Sequence, residues 1–164
     1  MAASVALAVL DKGENHLFGT WHNVFVILWR DIATLETMKR VGGFSRQLDR
    51  RFTDGYCALA VLSMKSLRMD SEMREEASRL TNNPGPNLKA IAQVIHGTGL
   101  GAATTRMIAS GLNLVRRSKT PSKLFDDIPA AVRWLTPHLR AVTSGVAATP
   151  EALVAEIEQA WARG

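Results

Sequence analysis

Three stretches of the chain are apolar almost without interruption: "NVFVILWR" (23–30), "YCALAVL" (56–62) and "LKAIAQVI" (88–95). Each is short and apolar on both alternations, and the last two follow clear turn residues, "TDG" and "TNNPGPN". That pattern predicts strands covered on both faces. Between the strands the apolar period changes to that of a helix. Leu35, Met38, Val41, Phe44 and Leu48 fall on one face, with Thr34 as N-cap and Glu36 in the first turn. Gly42-Gly43 inside this helix costs about 1–2 kcal/mol in propensity, so it marks a kink or a place of close packing. A second helix starts at Asp70, with acids in its first turn and Met73, Ala77 and Leu80 as its apolar stripe.

The same reading extends to both ends. Val5 to Leu10 reads as an opening strand and "DKGEN" as a turn, while "HLFGTWHN" is either a strand or a loop, because Gly19 weakens a strand. Gly99 to Arg117 has a helical pattern. A short strand lies around Lys123 to Phe125. Asp126 or Asp127 caps the next helix, which has Pro129 in its first turn and Ala131, Val132 and Leu135 pointing inward. "TSGVAA" is a linker, and Thr149-Pro150-Glu151 opens a last helix carrying Leu153, Ile157 and Trp161. Strands alternating with helices predict an α/β domain built on a mostly parallel sheet of four to five strands, with the opening pair free to be antiparallel. The domain spans 1–143. Residues 144–164 hold a linker and an amphipathic C-terminal helix, packed on the domain or on a partner.

Composition narrows the setting. The 164 residues are 46% apolar and 21% charged, an ordinary globular mixture for one domain. No run approaches the ~20 apolar residues of a membrane span. The apolar start has no basic residue before its run and leads into "DKGEN", which fits a strand better than a signal peptide, so a cytoplasmic protein is expected. Cys57 is the single cysteine and sits in an apolar run, as a small buried residue does. The net charge is +5, but Lys39, Arg40, Arg46, Arg50, Arg51, Arg116, Arg117 and Lys119 are spread over several helices. Without interleaved aromatics they read as solvated faces rather than a nucleic-acid stripe.

"HGTGLGAATTR" (96–106) raises the question of a phosphate loop, since backbone N–H groups at a helix start face anions. Its spacing is G-x-G-x-G rather than G-x-G-x-x-G, it lies on the third crossover, and no ribose-binding acid closes the next strand. A tight strand-to-helix turn accounts for the glycines. Should an anion bind here, His96, Gly97, Thr98, Gly99, Gly101 and Arg106 are the available groups. No other constellation supplies chemistry. His16 and His22 have no obvious acid or cysteine beside them, His138 stands near a helix end, and adjacent Asp126-Asp127 do not converge on one atom. No enzyme signature, metal site or cofactor is expected.

Four local features bring a family into view. The strand and helix "NVFVILWR…TLETMKRV", the "AVLSMKSLRMDSEM" strand-loop-helix, the Asp70-Ser71 pair opening its helix and the ending "KLFDDIPAAVRWL" resemble STAS-like domains, the fold of anti-sigma-factor antagonists, over roughly residues 1–139. The resemblance implies a non-catalytic regulatory domain that binds protein partners, with Ser71 as a phosphosite beside Asp70. "EMREE" departs from the small residues that follow this serine in the family, and Glu72, Glu75 and Glu76 would oppose a phosphate. The partner is another protein or a second copy in a homodimer. Leu100, Met107, Leu153, Ile157 and Trp161 are the candidate interface residues. A small anionic ligand or lipid held at 97–101 is the alternative.

Overall fold

A computed structural model describes residues 6–97, 118–142 and 150–164. Six strands form one sheet in sequence order: β1 (Ala8–Lys12), β2 (His16–Trp21), β3 (Val24–Trp29), β4 (Tyr56–Ser63), β5 (Leu88–His96) and β6 (Ser122–Phe125). The four helices among the described residues are α1 (Leu35–Arg51), α2 (Ser71–Asn82), α3 (Ile128–Val142) and α4 (Pro150–Ala162). The α/β class is as expected, but the sheet is larger and more mixed than four to five mostly parallel strands. β1–β2 and β2–β3 pair antiparallel, and only β3 through β6 run parallel.

Two short turns cause the difference. The chain reverses after Lys12, where Gly13 N–H donates to the His16 carbonyl, and again across His22-Asn23, where His22 adopts a φ of 50°. Connections this short join only antiparallel neighbours. "HLFGTWHN" is therefore a fully buried strand and a hairpin turn, with Gly19 in its middle. A Cβ on Gly19 would stand 2.7 Å from the Ala8 carbonyl oxygen, so this glycine permits the close approach of β1.

The two alternations along the strands feed two separate cores. Val24, Val26 and Leu28, with Cys57, Leu59 and Val61, and with Ala90, Ala92 and Val94, face one side. Ala131, Val132 and Leu135 of α3 and Leu153 and Ile157 of α4 close over them. Phe25, Ile27 and Trp29, with Tyr56 and Ala58, and with Ile91, face the other side, under Met38, Val41 and Leu48 of α1 and Met73 of α2.

The expected caps are made. Thr34 and Thr37 form a reciprocal capping box on α1, Asp70 accepts from the Met73 N–H on α2, and Asp127 accepts from the Ala130 N–H at the start of α3. Gly42 is a point of close packing, since a Cβ there would lie 2.8 Å from Leu80 Cδ2 of α2. At Gly43 a Cβ would meet only Arg46 Nη2, at an ordinary contact distance of 3.9 Å.

The C-terminal helix belongs to this domain. Leu153 and Ile157, expected as interface candidates, are 1% and 0% exposed and lie in the core beneath the sheet. Their burial is worth about 3–6 kcal/mol as an upper bound, enough to hold a 13-residue helix that is also fastened at its middle and at its C-terminal end. Leu7 N–H donates to Glu156. At the C-terminal end Arg30, just past β3, donates to the carbonyls of Ala160 and Trp161. A guanidinium on the last carbonyls of a helix satisfies orphan acceptors and opposes the helix dipole. Burial lowers the Arg30 pKa.

The two glycines make opposite predictions. Gly19→Ala forces a methyl group against the β1 backbone and lowers stability by about 1–3 kcal/mol. Gly43→Ala adds helix propensity without a clash, its methyl group meeting only the end of the Arg46 side chain, and raises stability by about 0.5–1 kcal/mol. Urea unfolding monitored by far-UV circular dichroism checks both.

Candidate functional site

In an open α/β sheet the loops after the parallel strands gather at one edge, and ligands and partners commonly meet the protein there. Here that edge carries the loops after β3 and β4. Asp31 and Lys65 bridge them at 3.9 Å, a weak exposed pair that nevertheless marks their proximity. Beside each partner of this bridge is an exposed apolar side chain, Ile32 at 47% and Met64 at 38%. A 3-10 turn (Lys65–Leu67) follows Met64, pinned by Ser66, whose N–H donates to Ser63 Oγ and whose hydroxyl donates to the Ser63 carbonyl.

The same connection ends at Asp70-Ser71. Asp70 makes the cap, so the Ser71 hydroxyl is not needed for it, and Ser71 is exposed at the first helical position. This arrangement leaves a free hydroxyl at the positive end of α2, although Glu72 already occupies the same turn.

His96 ends β5 at this edge, opposite Ser63 of β4 in the register. His96 is exposed, and its ring lies tilted against Trp161 of α4, with centroids 5.0 Å apart. His96 is therefore engaged with the last turn of α4 and has no acid or cysteine partner among the described residues. Gly97 follows it directly. Thr98, Gly99, Leu100, Gly101, Arg106 and Met107 lie outside the described residues, as does the expected helix from Gly99 to Arg117.

The histidine reading needs one correction. His16 does have an acid beside it. The β1–β2 hairpin folds Asp11 back so that its Oδ2 lies 3.1 Å from His16 Nε2, and Arg40 of α1 reaches the same oxygen at 3.2 Å while also pairing with Glu36. The His16 ring is buried and stacks on Phe18, 4.5 Å between centroids. Burial pushes the Asp11 carboxyl up, but the hydrogen bonds from His16 and Arg40 outweigh it and hold the pKa below the usual carboxylate range. The cluster ties the edge hairpin to α1. No nucleophile or third metal-ligating side chain joins it among the described residues.

Cys57 is fully buried, and desolvation pushes its thiol up to about 12, so at neutral pH it stays a protonated core side chain. No helix among the described residues is long and apolar enough to cross a membrane. Compared with protein-family models, with curated proteins and with solved structures, the chain matches none.

A carboxylate whose folded pKa is depressed stabilises the fold above its unfolded pKa, near 4, and loses that contribution as pH falls through the folded value. Asp11→Asn accordingly lowers stability by about 0.5–1.5 kcal/mol at pH 7. The difference from the unsubstituted protein shrinks toward zero below about pH 3. Urea midpoints measured across this range check it.

Proposed function

We propose that the chain is a non-catalytic regulatory domain, resembling the STAS-like group, that binds a partner protein through the strand edge formed by Ile32, Met64 and the start of α2. The observation that carries this reading is the pairing of exposed apolar side chains on two bridged loops, the second of which ends at an unengaged serine. Both broad faces of β3 and β4 are covered by helices of the same chain, so a partner meets edges and loops rather than a sheet face. Apolar anchors ringed by charged groups suit a protein contact. Asp31, Lys65, Arg68, Asp70 and Glu72 supply that ring in the sequence around Ile32 and Met64.

Ser71 is the control point in this reading. A phosphate there would gain from the helix dipole and meet opposition from Glu72, so its effect falls on the partner rather than on the stability of α2. The resemblance supports this role through "AVLSMKSLRMDSEM" and Asp70-Ser71, and the cap made by Asp70 supports it independently.

Photo-crosslinking in the native cell tests the proposal. A benzophenone amino acid replaces Ile32 or Met64, and in a control replaces exposed Glu158 on α4. The expected result is one discrete protein adduct from positions 32 and 64, absent at 158 and reduced at least about fivefold by Ser71→Asp. No discrete adduct, or the same adduct from all three positions, overturns it.

A further inference from the structure

A second site opens at the opposite edge of the sheet. There the start of β4, the start of β5, the facing sides of α1 and α2 and the 83–86 loop enclose a cavity of about 340 Å³. That volume lies at the small end of ligand pockets. Its floor is apolar: Tyr56, Leu80 and Leu88, with Pro84 and Pro86 along the loop. The Tyr56 hydroxyl is occupied, donating to the Ser45 carbonyl.

The rim is cationic. Arg46 and Arg50 stand one turn apart on α1, and Arg79 faces them from α2. Like charges at this spacing on a helix repel, so their retention on one face has a cost. Two carboxylates stand against the three arginines: Glu76 is paired with Arg79, and Asp49 lines the cavity with its charge retained, leaving an excess of positive charge at the rim. Glu76 takes Arg79 through two hydrogen bonds of 2.6 and 3.0 Å and is further lowered by the nearby charges of Lys39 and Arg46. Asp49 accepts the Asn87 N–H at 2.8 Å and so anchors the loop. Neither Arg46 nor Arg50 makes an ion pair among the described residues.

We propose that this cavity binds a small organic anion. Its oxyanion head pairs with the guanidinium groups of Arg46 and Arg50, and its apolar body lies on Tyr56, Leu80 and Leu88. Guanidinium is the side chain suited to bidentate contact with a carboxylate, phosphate or sulfonate. Gly42 builds the site indirectly: by letting Leu80 approach, it brings α2 close enough for the two helices to share the floor. The site does not depend on the partner edge, which lies at the other ends of these strands.

The probe is 8-anilinonaphthalene-1-sulfonate, which combines a sulfonate with an apolar ring system, titrated against the full chain with fluorescence detection. The expected result is saturable binding of one probe per chain. N-phenyl-1-naphthylamine, its uncharged analogue, binds at least about tenfold more weakly, and Arg46→Gln/Arg50→Gln loses at least about tenfold. Arg133→Gln, at an exposed arginine of α3 over the other core, leaves the affinity unchanged. Unsaturable binding, equal affinity for the uncharged analogue, or equal loss in the Arg133 control overturns the proposal. If the double variant fails to fold, phenylglyoxal labelling of the unsubstituted chain decides. Protection of Arg46 and Arg50 by the probe supports the site, and equal labelling with and without probe overturns it.

Discussion

Burial of β3 and β4 on both faces is the constraint from which the rest of the structure follows. A strand covered on one side can alternate apolar and polar residues, but these two cannot. Phe25, Ile27 and Trp29 serve one core while Val24, Val26 and Leu28 serve the other, and β4 repeats the division with Tyr56 and Ala58 against Cys57, Leu59 and Val61. Each face then needs its own helical cover. α1 and α2 supply one, α3 and α4 the other. Every backbone group of such strands needs a neighbour as well, which β2 and β5 provide.

This arrangement governs where function can reside. With the faces of β3 and β4 closed, the candidate sites among the described residues lie at the two ends of the parallel strands. One end carries Ile32, Met64 and Ser71, groups suited to another protein. The other carries the arginine-rimmed cavity between α1 and α2, suited to a small anion. The Asp11–His16–Arg40 cluster belongs to neither. It fastens the edge hairpin to α1, and its acid and base are committed to each other.

Much of the fold was legible because it depends on local spacing. The doubly apolar strands, the stripe of α1 and the caps at Thr34, Asp70 and Asp127 all depend on residues within a few positions of one another. What escaped depends on register or distance. Asp11 meets His16 only once the hairpin after Lys12 is known, and Gly19 reads as a strand breaker until the close approach of Ala8 is seen. Arg30 clamps carbonyls 130 and 131 residues away. Arg46 and Arg50 looked like a solvated face, and only the placement of α2 opposite them encloses a cavity. Ser71 was visible as a candidate, whereas the exposed Ile32 and Met64 were not, because their exposure depends on how the loops after β3 and β4 pack.

The claim that the rest depends on is that α4 is an integral cover of the second core. Hydrogen–deuterium exchange of the intact chain, read by mass spectrometry under native conditions, addresses it most directly. The account predicts that amides of 153–161 are protected to within about tenfold of those in β3 and β4, because they open only with the core they cover. Exchange of α4 at the rate of an unstructured peptide, with β3 and β4 still protected, would contradict it. The second core would then be open where α4 had covered it, and that surface beside α3 would replace the strand edge as the place to seek a partner.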